Sequence, residues 1–159
     1  MANTQSMCTS FLGEVLGAVH NFSSTNPARS ASTADTFKAA LYLTTATQNA
    51  ATTAYGSTGE VTGTGYTAGG VAVTNATNPA STNTSSTAGT GYWTPSASIV
   101  YTSVTLSTAF DTMLLYNSSQ SNKAVAVYTF GSQTITAGNF TLTMPSNAAA
   151  TALLRLATT

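Results

Sequence analysis

Side chains that could do acid–base chemistry are scarce in this chain. Its 159 residues include four acids, four Lys or Arg and one His, so 5% are charged, against about 25% in a typical globular domain. A pair of facing carboxylates could cleave a glycosidic bond, and the acids available are Glu14, Asp35, Glu60 and Asp111. They are far apart in the sequence, and Asp35 and Asp111 stand where strands are predicted to begin, a common position for capping and turn residues. We therefore expect structural roles for them.

A nucleophilic site would need a histidine or an activated thiol. His20 is the single histidine, so a Ser-His-Asp triad would depend on it. It is predicted to lie in the last turn of an N-terminal helix, away from the β core, where the helix dipole favours a cation, and no Gly-x-Ser-x-Gly elbow occurs. Cys8, the single cysteine, has no adjacent His or cation to lower its pKa, which indicates a buried or spectator thiol. The sequence predicts neither an enzyme nor a site for a metal or cofactor.

One glycine-rich segment has the letters of a dinucleotide-binding fingerprint. It runs from Gly63 through Gly65 to Ala68. The fingerprint works only where a strand precedes it, a helix opens at it and an acid follows about 20 residues later. Here a run with a period of two follows, and no acid occurs between Glu60 and Asp111. We expect these glycines to serve a β-turn or a bulge.

The few cations are spread along the chain. Arg29, Lys38, Lys123 and Arg155 are far apart in sequence, whereas nucleic acids select clustered cations, so no nucleic-acid partner is predicted. The net charge is zero, which lowers electrostatic repulsion and permits close association between copies. No apolar run approaches the ~20 residues that span a bilayer, and no secretory-signal pattern is visible at the start. No membrane association is predicted.

The elements that would have to position these residues begin with an N-terminal helix. Apolar residues with helical spacing fall on one face and form what we call the helix stripe: Phe11, Leu12, Val15, Leu16 and Val19. Thr9 or Ser10 could cap this helix, which is predicted to end near Asn21 and Phe22. Because so short a helix is marginal alone, the helix stripe is expected to dock either on its own domain or on a neighbouring subunit.

From Thr36 onward the period becomes two, which is typical of strands. The predicted strands are 36–44, 60–62, 71–74, 99–106, 112–116, 124–130, 140–144 and 152–157, with a hairpin loop at 117–122 and a tight turn at 137–139. This spacing predicts a mainly β fold, an antiparallel β-sandwich or jelly-roll-like barrel with a short N-terminal amphipathic helix. Residues 1–30 would form the N-terminal arm and helix, and residues 31–159 the β-sandwich domain.

A long polar stretch interrupts the predicted strands. Residues 75–91 are rich in Ser, Thr, Asn and Gly, and a long loop around 75–95 is predicted; loops of this length are often functional or mobile. Tyr92 and Trp93 stand near its end. Aromatic side chains in uncharged surroundings form sugar-binding and protein-binding surfaces. They are interpreted here either as anchors of the core or as part of a subunit interface or ligand surface.

Five segments resemble a known family. They are 36–42 (TFKAALY), 59–70 (GEVTGTGYTAGG), 115–127 (LYNSSQSNKAVAV), 136–142 (TAGNFTL) and 153–157 (LLRLA). Together they are similar to a family of small virion proteins of tailed bacteriophages and prophages, and the resemblance is weakest over 75–95. It implies a structural component of the particle, made in the bacterial cytoplasm without a signal peptide. It supplies no catalytic residues.

These observations together lead us to expect a capsid decoration (cement) protein. A β-sandwich would lie on the outer surface of the head, bridge capsomers of the major capsid protein, contact neighbouring virion proteins and associate with itself, a trimer being favoured. The expected contact residues are the helix stripe together with Tyr92 and Trp93. The alternative is a tail or fibre component, or a host-surface adhesin, in which Trp93 and residues 75–95 carry recognition.

Overall fold

The computed structural model describes residues 2–16, 18–23, 34–82 and 88–157, without the side chains at positions 12, 13 and 16. Predictions for Leu12 and Leu16 therefore lie outside the described side chains. Within these residues the elements are β1 (Ser6–Met7), α1 (Thr9–Leu16), β2 (Phe37–Leu43), β3 (Val71–Val73), β4 (Ala80–Ser81), β5 (Thr90–Trp93), β6 (Ile99–Asn117), β7 (Lys123–Leu142) and β8 (Leu154–Ala157).

The strands form two antiparallel sheets. The larger has the order β1-β7-β6-β2-β3 and the smaller the order β4-β5-β8. The mainly β fold with a short N-terminal helix is confirmed, and the two sheets are consistent with a sandwich. Neither sheet closes on itself in the described part of the chain, so the jelly-roll-like barrel is not the form adopted.

The β6–β7 hairpin is the largest feature of the fold. Its strands have 19 and 20 residues, where two separate strands had been predicted in each. The predicted tight turn at 137–139 is wrong: β7 continues through it, and Ala137, with a φ of 47°, occupies a bulge between the pairs Val104–Gly138 and Leu106–Ile135. One extra residue in one strand keeps the ladder going while bending it. The predicted hairpin loop is confirmed at 118–122.

The two halves of this hairpin are buried differently. Residues 112–117 of β6 are all buried, because β2 and β7 flank them and other segments cover both faces. In the other half, which we call the distal hairpin (residues 99–110 and 129–142), burial of β6 largely alternates between core and solvent. The β6 strand of this half therefore has a core face and a surface face, whereas β7 is exposed at every residue of 131–134.

The segment at 60–70 covers the core face of the distal hairpin. Tyr66 stacks on Tyr101 with ring centroids 5.9 Å apart, and Thr64 forms an isolated bridge with Thr105. Gly65 has a φ of 79°, and a Cβ there would overlap the carbonyl oxygen of Ser103. The turn role predicted for these glycines is confirmed. The predicted strand at 60–62 is wrong: Glu60 makes only an isolated bridge.

The N-terminal segment packs on its own chain. Residues of β1 pair with β7, and Phe11 of α1 is 2% exposed, which answers the open question of where the helix docks. The helix ends at Leu16, earlier than predicted, and Ala18 has a φ of 53°. The predicted caps are also wrong: α1 begins at Thr9, after Cys8, and the buried Ser10 hydroxyl finds no partner among the described residues.

Aromatic side chains join the two sheets. Phe22 stacks on Phe37 of the larger sheet at a centroid distance of 4.5 Å and lies 4.7 Å from Trp93 of the smaller one. The Tyr128 hydroxyl donates to the carbonyl oxygen of Leu153, 3.0 Å away. The stretch at 75–95 is not one loop, because β4 and β5 lie within it; its residues 83–87 lie outside the described residues.

Candidate functional site

Three of the few charged or ionisable side chains meet beside α1. Glu14 of α1 binds the Lys123 ammonium through Oε1 at 2.6 Å and the His20 ring Nε2 through Oε2 at 2.7 Å. The His20 side chain is fully buried. Burial raises the pKa of the Glu14 carboxyl, but the hydrogen bonds from Lys123 and His20 and the positive charge of Lys123 outweigh it, so the net pKa is lowered.

Asn117, at the end of β6, connects His20 to Asp35. Its Oδ1 accepts from the Ser119 backbone N–H and hydroxyl, which fixes the amide orientation. Its Nδ2 therefore donates to Asp35 Oδ2 at 2.7 Å and to His20 Nδ1 at 3.1 Å. Because Nδ1 accepts, the His20 proton is assigned to Nε2, where it is donated to Glu14.

Asp35 ties the segment after α1 to the β6–β7 turn. Its carboxylate accepts from the Asn21 backbone N–H at 2.7 Å, from Asn117, and from Gln120 Nε2 at 3.0 Å. Burial raises the pKa of Asp35, yet the hydrogen bonds from Gln120, Asn117, Asn21 and Ser119 leave it lowered. We call the set Glu14, His20, Asp35, Asn117 and Lys123 the polar network.

The polar network corrects one prediction. His20 is neither at a helix end nor away from the β core, because the chain turns after Leu16 and brings the ring onto Asn117 of β6. The fold also brings together Glu14, His20 and Lys123, although Lys123 is far from the other two in sequence. Every ring nitrogen and carboxylate oxygen named here already has a protein partner. This arrangement positions α1 and offers no exposed base or nucleophile.

The other two acids lie in separate polar sites. Glu60 is buried and accepts from Tyr55 and Tyr66 hydroxyls and the Gly69 N–H, each at 2.7 Å. Asp111 accepts from Asn3 Nδ2 at 2.9 Å and from the neighbouring Thr112 hydroxyl. Among the described residues no group of three potential metal ligands forms. Each of these carboxylates accepts hydrogen bonds from groups of its own chain, as a structural carboxylate does.

Cys8 is buried, as predicted. It is 0% exposed, and burial, with the nearby Glu14 charge, raises the pKa of its thiol to about 11. A thiol with a raised pKa and no access to solvent is unreactive.

An apolar pocket lies between α1 and the smaller sheet, next to the polar network. Its volume is about 310 Å³. Its walls are Phe11 and Val15 of α1, Phe22 of the following segment, and Trp93 with Leu154 and Leu156 of the smaller sheet. We call it the Trp93 pocket.

The Trp93 pocket brings together four of the seven predicted contact residues. Phe11, Val15, Tyr92 and Trp93 all line it, whereas Val19 is half-buried outside it. Phe11 and Trp93 were predicted as contact residues. Each is 2% exposed, so both side chains lie in the interior of the chain and not on its surface. The Trp93 indole N–H donates to the Thr77 carbonyl oxygen at 3.0 Å and Asn75 Oδ1 at 3.2 Å. The core interpretation of Trp93 is confirmed.

Sequence reasoning missed three residues of this region. Phe22 stands at the predicted helix end, and nothing in its spacing shows that it packs between the sheets. Leu156 had a signal, because it alternates within a predicted strand, and it is 42% exposed at the pocket. Asn117 had none: in sequence it belongs to an ordinary hairpin loop.

No protein-family model, curated protein or solved structure matches the chain. The resemblance to phage virion proteins therefore stays a prediction. Within the described residues, no helix is long and apolar enough to cross a membrane.

Proposed function

We propose that this chain is a structural protein of a tailed-bacteriophage particle, a decoration (cement) protein that binds the outer capsid surface and bridges neighbouring capsomers. The observation that carries the proposal is the surface of the distal hairpin. Its two segments contain no Asp, Glu, Lys, Arg or His, and their exposed side chains are mainly Thr and Ser with Gln133 and Asn139.

Such a surface suits permanent contact with another protein. Burying a hydroxyl or amide costs far less than burying a charge, and the centres of protein interfaces are depleted in charged residues. A paired β-hairpin is already ordered, so it loses little conformational entropy on binding. At about 3.3 Å per residue, the 12 and 14 residues of the two distal-hairpin segments reach roughly 40 Å before bending, a length suited to bridging subunits.

The mechanism would be stabilisation by mass action. A protein that binds the assembled shell, and not its free subunits, shifts the equilibrium towards the shell. The partners would be the major capsid protein, neighbouring virion proteins and further copies of this chain, with a trimer as the favoured oligomer. The polar network would serve this role indirectly, by holding α1 against the β-domain.

The test uses capsids assembled without the chain, to which the purified protein is added. We expect saturable binding that changes little between low and high salt, because the proposed contact has no charges for salt to screen. Thr134→Glu, on the exposed face of the distal hairpin, should weaken binding about tenfold or more, because an unpaired carboxylate would be buried. Thr58→Glu, at another exposed threonine, is the matched control and should bind normally.

Failure of the wild-type chain to bind, or equal binding by both variants, would overturn the proposal. An image reconstruction of the particle separates the alternative: occupancy at every capsomer supports decoration, whereas a few copies at one vertex indicate a tail component.

A further inference from the structure

Gly91 keeps the Trp93 pocket open. It lines the pocket on β5, opposite Leu156 of β8. Its φ is not positive, so its backbone conformation does not require glycine. A Cβ at this position would meet only the Leu156 carbonyl oxygen, at 3.8 Å. What glycine provides here is space, because any larger side chain would project into the pocket.

The walls of the pocket select an uncharged apolar occupant. Among its described lining residues there is no Asp, Glu, Lys or Arg. Of its polar lining groups, both His20 ring nitrogens are bonded within the polar network, and the Ser23 hydroxyl donates to Asn78 Oδ1. Phe11, Phe22 and Trp93 supply aromatic surface. At about 310 Å³ the pocket is near the lower end of the range for ligand sites, about 300–1,000 Å³, so it suits one large side chain.

A free strand edge beside the pocket points to a polypeptide. β8 is the last strand of the smaller sheet, and no described strand pairs with its outer side. Leu156 of β8 is the more exposed of the two large hydrophobic residues that stand out at the described surface. Recognition by strand addition combines main-chain hydrogen bonds along such an edge with a pocket that takes a side chain.

We propose that the Trp93 pocket takes one aromatic or long aliphatic side chain from an extended segment of a partner protein laid along β8. The inference rests on the proposed function for the identity of that partner, the capsid protein. In this arrangement the Trp93 pocket holds the partner's anchoring side chain, and the distal hairpin contributes further contact area with the partner.

The pocket itself is tested with N-acetyl-phenylalaninamide, a capped apolar side chain, as the probe. Trp93 is the only tryptophan, so its indole N–H gives a single NMR signal. We expect the probe to shift this signal saturably and N-acetyl-lysinamide to leave it in place. Gly91→Leu should weaken binding of the probe about tenfold or more by filling the pocket. Gly56→Leu, at an exposed glycine with nothing near its Cβ position, should not.

Gly91→Val, which suits a strand, replaces Gly91→Leu if the leucine variant does not fold. The inference is overturned if the probe causes no saturable shift, or if the folded Gly91 variant binds it like the wild type. The capsid assay then tests the partner. If the Gly91 variant loses capsid binding and the Gly56 variant keeps it, the anchoring role of the pocket is supported. If the Gly91 variant binds capsids normally, that role is refuted but the decoration function is not. If the wild type binds the probe but not capsids, the proposed decoration function is refuted.

Discussion

Asn117→Ala tests whether the polar network holds the N-terminal segment on the sheet. Asn117 is fully buried, and its Nδ2 is shared by Asp35 and His20. A hydrogen bond to a charged group contributes about 1.5–3 kcal/mol and one between neutral groups about 0.5–1.5 kcal/mol. The Ser119 donors lie on an exposed residue and can turn to water. We therefore expect the variant to lose about 3 kcal/mol of its free energy of unfolding.

The loss should depend on pH. The lowered pKa of Asp35 means that its contribution to stability is present above the ordinary carboxyl pKa and disappears as the pH falls through the folded-state pKa. Removing a donor raises the folded-state pKa towards its ordinary value, about 4. The variant therefore has less stability to lose in acid, and the difference between wild type and variant should narrow there.

The assay is urea unfolding at several pH values from neutral downwards, with m-values compared to confirm the same transition. Leu115→Ala is the matched control. Leu115 is fully buried two residues earlier on β6, and its loss should cost about 2–5 kcal/mol with no narrowing in acid. A difference for Asn117→Ala below about 1 kcal/mol, smaller than two such bonds contribute, or one that stays constant with pH, would refute the reasoning.

Two further substitutions test other parts of the fold by the same urea assay. Ala137→Gly should raise the free energy of unfolding by about 1 kcal/mol because Ala137 has a φ of 47°, which costs a non-glycine residue about this much; Ser132→Gly, in the same strand, should lower it, and a loss in both would contradict the bulge. Glu60→Ala should cost about 3–5 kcal/mol by leaving the Tyr66 hydroxyl and Gly69 N–H unpaired, whereas Glu60→Gln retains an acceptor and should cost clearly less. Equal losses in the two Glu60 variants would show that the hydrogen bonds of this carboxylate contribute little.

Local periodicity was sufficient for the fold class and for most strands. Periodicity failed to give the strand limits where a bulge bends the backbone but the strand pairing continues beyond it. Gly138 and Asn139 are typical turn residues, and a bulge uses the same conformational freedom as a turn, so the sequence alone does not separate a turn that ends a strand from a bulge that bends it. The helix stripe failed in another way: apolar spacing continues to Val19, but the backbone has left the helix by Ala18.

The candidate site could be predicted only in part. The apolar and aromatic residues Phe11, Val15, Tyr92 and Trp93 were identified by type, but their meeting at one pocket depends on how the smaller sheet packs against α1. The polar network joins Glu14 to Lys123, 109 positions apart. Asn117 and Asp35 are connected across 82 positions. Pairings of this kind follow from tertiary structure, and a single sequence carries no local signal for them.

The bulges of the β6–β7 hairpin also bear on whether copies of the chain can add to one another edge to edge. Long, uncharged, threonine-rich strands with a free edge are the kind of template on which further strands add and fibrils grow. Natural proteins often guard such edges with lysine, and β7 has none beyond Lys123 at its start. The pairing of β7 with β6 instead shifts register at several points between Leu106 and Tyr116 of β6 and again near Val104. The hairpin therefore presents no long flat stretch for edge-to-edge growth. We expect this irregular geometry, in place of charge, to oppose polymerisation through that edge.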